Sequence, residues 1–213
     1  MKIAYQGIAG SYSESCAKEK YPTCETIPCK TFDECFEKAN QDSSVKAIIP
    51  ESNKTTGNIG VEYLIFKYRL NIYAEHFLTI NHNLLGLPNT KLSDINNVYS
   101  HAQALSQSSN FIKKNKFIEN VRADTAGSAK YVSESGDKTK GAIASDLSAK
   151  IYNLEVLKSN IQDDKENVTR FLIMGKDIFQ PDFNDKNYIT SILFKLKDKA
   201  AALYSALSGF ALN

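Results

Sequence analysis

Short apolar runs alternate with amphipathic stretches from the first residue onward. Lys2 to Gln6 reads as a buried strand and Gly7-Ile8-Ala9-Gly10 as a tight turn. Ser11-Tyr12-Ser13-Glu14 then matches a capping box, predicting a helix to about Lys20 that Pro22 closes. Glu25 to Pro28 alternates weakly, as a strand. Thr31-Phe32-Asp33-Glu34 is a second capping box, and the helix it opens puts Phe32, Cys35, Phe36 and Ala39 on one face. Val45 to Pro50 is a third buried strand. The order β-α-β-α-β with short loops predicts a parallel sheet with right-handed crossovers.

Glu51 to Gly60 is a polar loop, Val61 to Tyr68 has helical periodicity, and Leu70 to Leu87 reads as one long strand crossing from one lobe into another. A second alternation follows. Strands are predicted at Asn97–Ser100, Asn120–Ala123 and Gly141–Ala144, and helices at His101–Lys114, Thr125–Ser135 and Ser145–Tyr152. Asn167 to Met174 begins as a polar turn and becomes an apolar strand. Gly175 to Asn187 reads as a linker, Tyr188–Lys197 as a strand and Ala200–Leu212 as a helix. Two α/β lobes joined by crossing strands would make a cleft.

The length of 213 residues suits one domain of two lobes. A net charge of +2, with Lys interleaved among Asp and Glu, gives no nucleic-acid footprint; Lys113, Lys114 and Lys116 read as a solvated helix end. No apolar run is long enough to span a membrane. The start at Met1 goes directly into a strand pattern without a leader, so a cytoplasmic location is expected. The cysteines Cys16, Cys24, Cys29 and Cys35 lack metal-ligand spacing and are expected as reduced, mostly buried thiols, with no metal and no cofactor.

In parallel sheets, ligands bind beyond the carboxyl ends of the strands, near helix N-termini. The loops expected there carry hydroxyls, amides and glycines and lead into helices whose free N–H groups suit anions. Arg170 adds a fixed fork for a carboxylate. In a strand, Thr169 and Phe171 share one face and Arg170 points to the other, so a bulge at the strand's start would be needed to bring Arg170 into the same cleft. The pattern asks for a small, oxygen-rich anion held by neutral donors. Gly7-x-x-Gly10 is too short for a dinucleotide fingerprint. Ser11, Ser13 and Thr125 also read as helix caps, Gln103 as a loop-bracing amide, His101 as a residue that orients a loop, and Phe171 as cleft wall.

The residues resemble prephenate dehydratase. The resemblance runs from Lys2 to about Lys176 and rests on five ordered motifs. They are Gly7 to Glu14; Ser100-His101-Ala102-Gln103-Ala104-Leu105-Ser106-Gln107, with Ala102 where the family has Pro; Asp124 to Ala129; Ala142 to Ser145; and Ile161 to Phe171, which closes on Thr169-Arg170-Phe171. Arogenate dehydratases carry the same motifs. The resemblance implies two lobes of the type II periplasmic-binding-protein kind, with a catalytic domain at 1–180. The first lobe would span about 1–80 plus 163–180, and the second about 81–162. It implies decarboxylating dehydration of prephenate to phenylpyruvate in phenylalanine biosynthesis. Thr169, Asn53 and Lys54 are the expected catalytic positions, and Arg170, Ser11, Ser13, Thr125, Ala126, Gln103 and Phe171 the expected substrate-binding ones. A homodimer is the expected assembly.

Two departures stand out. The family's Pro-x-Glu-Asn-Ser loop reads Pro50-Glu51-Ser52-Asn53-Lys54, so Ser52 replaces Glu and Lys54 replaces Ser. Lys54, if it pointed inward, would be a proton source. Residues 188–213 resemble only the first strand and helix of a regulatory ACT domain, so feedback by phenylalanine is not expected. Arogenate as substrate, with Glu51 meeting its ammonium, and a non-catalytic two-lobed module binding a small carboxylate are the alternatives.

Overall fold

The computed structural model describes residues 1–178, 180, 190, 192 and 194–212. It divides into Met1–Phe179 and Gln180–Asn213. The first unit holds two sheets. Strands β1 (Lys2–Gln6), β2 (Glu25–Cys29) and β3 (Val45–Asn53) pair in parallel, linked by helices α1 (Tyr12–Lys20) and α2 (Phe32–Gln41). Next come β4 (Gly57–Asn58), α3 (Glu62–Tyr68) and β5 (Asn71–Thr79). The second sheet contains β6 (Asn83–Gly86), β7 (Asn97–Ser100), β8 (Ile118–Val121), β9 (Lys140–Ala144) and β10 (Glu155–Lys158). Its helices are α4 (Ala102–Ser106), α5 (Ser109–Asn115), α6 (Thr125–Ser135) and α7 (Asp146–Ile151). The chain then returns to the first sheet as β11 (Val168–Gly175), between β3 and β5 and antiparallel to both.

Both capping boxes form, with one shift. The Ser11 and Thr31 hydroxyls accept from the backbone N–H of Glu14 and Glu34. The two carboxylates reach back past the cap, to the N–H of Gly10 and of Lys30, both at 2.7 Å. Each helix start therefore also ties down the loop before it. Along the first sheet, alternation assigns opposite faces. Ala4, Ala47, Ile49, Leu172 and Met174 pack with Phe36 and Leu64, while Ile3, Tyr5, Ile48, Phe171 and Ile173 pack with Cys16 and Ala17. Cys16, Cys29 and Cys35 are buried free thiols, and burial pushes their pKa values up.

Several expectations change. The stretch Leu70–Leu87 is two strands, broken at Ile80-Asn81-His82 where the chain leaves the first sheet for the second. A second crossing runs beside it: Ile80 N–H donates to Asn167 O and Ile161 N–H to His82 O, both at 2.8 Å. The helix expected over His101–Lys114 is two helices, interrupted at Gln107-Ser108. Strand β8 begins two residues earlier than expected, at Ile118. Strand β10 was not foreseen, since Glu155 and Lys158 hide it; it pairs antiparallel with β6 at the sheet edge. The strand expected at Tyr188–Lys197 lies largely outside the described residues, and 190, 192 and 194–197 carry none. In the second unit, α8 spans Ala202–Leu212. Among the described residues no helix is long and apolar enough to cross a membrane.

Candidate active site

A cavity of ≈ 420 Å³ opens where the loops beyond β1, β3, β7 and β8 converge. One wall is apolar, from Phe32, Pro50, Ile59, Ile80 and Phe171. The rest is mostly polar, with Asp124 the one charged residue among the described lining residues. Ser11 and Ser13 come from the start of α1, Asn53 from the end of β3, Thr169 from the start of β11, Gln103 from α4 and Thr125 from the start of α6. Seven of the ten expected site residues therefore line one cavity (the six just named and Phe171), drawn from both sheets.

At its centre, Asn53 and Thr169 are cross-strand partners on β3 and β11, both buried. Asn53 Oδ1 accepts from the backbone N–H of Thr55 at 3.0 Å and Thr56 at 3.1 Å. That fixes its Nδ2 as donor to Thr169 Oγ1 and to Asn167 Oδ1, both at 2.8 Å. Thr169 Oγ1 is thus an acceptor toward Asn53, and its own hydrogen has no acceptor among the described residues.

The other three expected residues lie elsewhere. Lys54 is exposed and paired with Glu166, and Glu166 raises its pKa. It does not line the cavity: Lys54 opens the turn after β3, its backbone N–H donating to Val168 O at 2.9 Å and its ammonium lying on Glu166. Arg170 also points away: its Nε and Nη2 hold Glu75 at 2.8 and 2.7 Å, and Nη1 lies 3.5 Å from Glu51. A bulge is present here, but on β3. Arg170 faces Ser52 and Phe171 faces Pro50, so Glu51 is the extra residue. The bulge swings Glu51 toward Arg170 and leaves β11 regular. Glu51 also accepts from the Ser52 hydroxyl at 2.6 Å, so it is not placed to meet a ligand's ammonium. Ala126 is fully buried in α6 and does not line the cavity.

Residue-by-residue reading missed three side chains. Gln107 ends α4 and His82 lies on the crossing; both line the cavity. Asn167, fully buried, joins Asn53 to Gln107. Gln107 and Asn167 stand inside the recognised motifs, whereas nothing in the sequence around His82 singles it out. Asp124 also lines the cavity, its carboxylate capping α6 through Gly127 N–H. Among the described lining residues there is no Lys or Arg, so an anion would meet hydroxyls, imidazoles and the N-terminal turns of α1 and α6.

The two sheets' elements also meet at Gly10. Its carbonyl accepts from Ser145 Oγ at 2.6 Å and Ser148 Oγ at 2.8 Å, and Ala9 O accepts from the Tyr152 hydroxyl at 2.7 Å. This fastens the loop that carries Ser11 and Ser13 to the start of α7.

Comparison with known proteins agrees with this architecture. Residues 3–178 match the family model described as prephenate dehydratase. The chain is 41% identical over 214 residues to arogenate dehydratase 2 of Petunia hybrida, covering all of this chain and 54% of that protein. It is 44% identical over 215 residues to arogenate dehydratase/prephenate dehydratase 1, chloroplastic, of Arabidopsis thaliana, with 100% and 54% covered. The chain thus spans about half the length of the curated relatives it matches. Among solved structures, the prephenate dehydratase of Staphylococcus aureus subsp. aureus Mu50 superposes with a TM-score of 0.79 at 27% identity, over 100% of this chain and 79% of that one. GqqA, described as a novel type of quorum quenching acylase, superposes at 0.84 and 30% identity, over 100% and 77%. With the family model covering both sheets and every cavity-lining segment, the chain belongs to the prephenate dehydratase family.

Proposed function

We propose that this chain carries out the decarboxylating dehydration of prephenate. The bond from the ring to its carboxylate breaks, and CO2 leaves. The electron pair moves through the ring and expels the C4 oxygen, which takes up a proton and departs as water, leaving phenylpyruvate. The observation that carries the reading is the Thr169 hydroxyl, buried beside an apolar wall and held as an acceptor by Asn53. Its free hydrogen is available to the departing oxygen. A Thr hydroxyl is a weak acid, so it acts as an oriented donor in a dry site, stabilising charge as it develops. The absence of Lys and Arg from the described lining suits the leaving carboxylate, because a cation there would stabilise the ground state. The side-chain carboxylate is assigned to Ser11, Ser13 and Thr125 at the two helix starts.

Arogenate is the second reading, favoured by the names of the curated relatives and by Asp124, whose carboxylate lines the cavity. An acylase would need a nucleophile beside a base; Thr169 instead receives a hydrogen bond from an amide. The test is turnover of prephenate and arogenate by the wild type, Thr169→Ala and Thr169→Ser. Thr169→Ala is expected to lose roughly 100-fold or more in kcat, the scale for removing one preorganised donor, and Thr169→Ser to retain most of it. No turnover of either substrate, with calorimetry still showing one bound, would leave a binding module instead.

A further inference from the structure

The Thr169 hydroxyl ends a chain of side chains whose donors and acceptors can be assigned from the backbone outward. The N–H groups of Thr55 and Thr56 fix Asn53 Oδ1 as acceptor, so Asn53 Nδ2 donates to both Thr169 Oγ1 and Asn167 Oδ1. With its oxygen committed, Asn167 turns its Nδ2 to Gln107 Oε1, 3.2 Å away. The same Gln107 oxygen lies 2.9 Å from His82 Nε2. An amide oxygen only accepts, so Nε2 carries the hydrogen. In the neutral ring Nδ1 is then an acceptor, and the Tyr12 hydroxyl, 2.7 Å away, donates to it. The Tyr12 hydroxyl also donates to Asn81 O at 2.9 Å, so its one hydrogen is shared between Asn81 O and His82 Nδ1.

We propose that His82 is a positioning residue for the reaction: by donating from Nε2 to Gln107 Oε1 it holds the amide relay that directs the Thr169 hydroxyl. Three observations support this. First, His82 sits on the crossing between the sheets, and its ring joins Tyr12 on α1 to Gln107 at the end of α4. Second, Gln107 Nε2 is buried with no partner among the described residues. The amide is thus held by its oxygen alone, from His82 and Asn167. Third, His82 is 2% exposed, and burial lowers its pKa below the usual imidazole value, the Gln107 bond opposing this more weakly. A neutral ring with its hydrogen on Nε2 is what Gln107 requires, and its bare Nδ1 can share the Tyr12 hydrogen with Asn81 O.

The kinetic consequence rests on the dehydratase reading; the tautomer does not. Nitrogen-15 histidine spectra of the unliganded chain at neutral pH, assigned by the signal lost in His82→Gln, test the tautomer. The expected result is hydrogen on Nε2 and a bare Nδ1; hydrogen on Nδ1 alone overturns the proposal. Turnover of prephenate and arogenate tests the role. His82→Asn can face Tyr12 but falls short of Gln107, so kcat should drop tenfold or more with KM within threefold. His82→Gln places an amide N–H near the lost Nε2 and should recover most of kcat. Equal kcat in both variants, or a loss confined to KM, overturns the positioning role. Circular dichroism checks folding; if His82→Asn does not fold, Tyr12→Phe takes its place, with an expected severalfold fall in kcat, and an unchanged kcat overturns the role. A wild type inactive on both substrates overturns the dehydratase reading and the kinetic role together, while the spectrum still decides the tautomer.

Discussion

Lys54 and Asn53 are neighbours in sequence with opposite fates. The last residue of β3 puts its amide into the cavity, and the first residue of the turn puts its ammonium on Glu166 at the surface. The departure from the family's loop therefore falls outside the cavity: Ser52 and Lys54 face away, and Asn53 faces in. Lys54→Ser is expected to leave kcat within about twofold, since an exposed ion pair contributes little. Asn53→Ala removes the acceptor for two backbone N–H groups and the donor to Thr169. It should cost about 2–3 kcal/mol of stability and lower kcat along with Thr169→Ala. Denaturant melts and kcat for the two variants decide this. A large, pH-dependent loss in Lys54→Ser would place the ammonium in the chemistry after all.

At the scale of elements, the bulge on β3 and the turn before α1 decide what reaches the ligand. Regular alternation along β11 sends Arg170 to the far face, where Glu75 and, across the bulge, Glu51 hold the guanidinium out of the cleft. The turn depends on Gly10, at φ +91°, a conformation that side-chain-bearing residues rarely adopt. A Cβ there would also stand 2.9 Å from Ser148 Cα. Strain and overlap in Gly10→Ala should together cost at least about 2 kcal/mol, about 4 °C or more in Tm. It should also weaken ligand binding, because Ser11 and Ser13 follow directly. A thermal melt with Tm unchanged would show that the Gly10–Ser148 contact is not needed to hold α1 and α7 together.

Taken whole, the unit Met1–Phe179 is two sheets joined by two chain crossings and fastened again at Gly10. The cavity draws on both, so a ligand inside it must order both. Bound phenylpyruvate is expected to slow hydrogen exchange at the N-terminal turns of α1 and α6 together. Protection confined to one of them would mean that the ligand does not bridge the sheets.

The β-α-β-α-β opening, both helix caps, the alternating faces of β11 and the family motifs are legible in the residue order alone. These rest on local periodicity, capping chemistry and residue order. The residue order also marked Thr169, Ser11, Ser13, Thr125, Gln103 and Phe171, which stand in those motifs, and Asn53, the matching residue of the altered Pro50–Lys54 loop; all seven meet in the cavity. Tertiary pairing was needed to place the bulge on β3 and not on β11, which leaves Arg170 with Glu75 on the far face, and to bring Glu166 beside Lys54; the position of a bulge depends on the register between two strands distant in sequence. The break in Leu70–Leu87 and the edge strand β10 were likewise settled by pairing across the sheets, where tertiary contacts override local pattern. His82 emerged only from the fold: its partners Tyr12 and Gln107 lie 70 and 25 residues away, and no local pattern reports such a meeting.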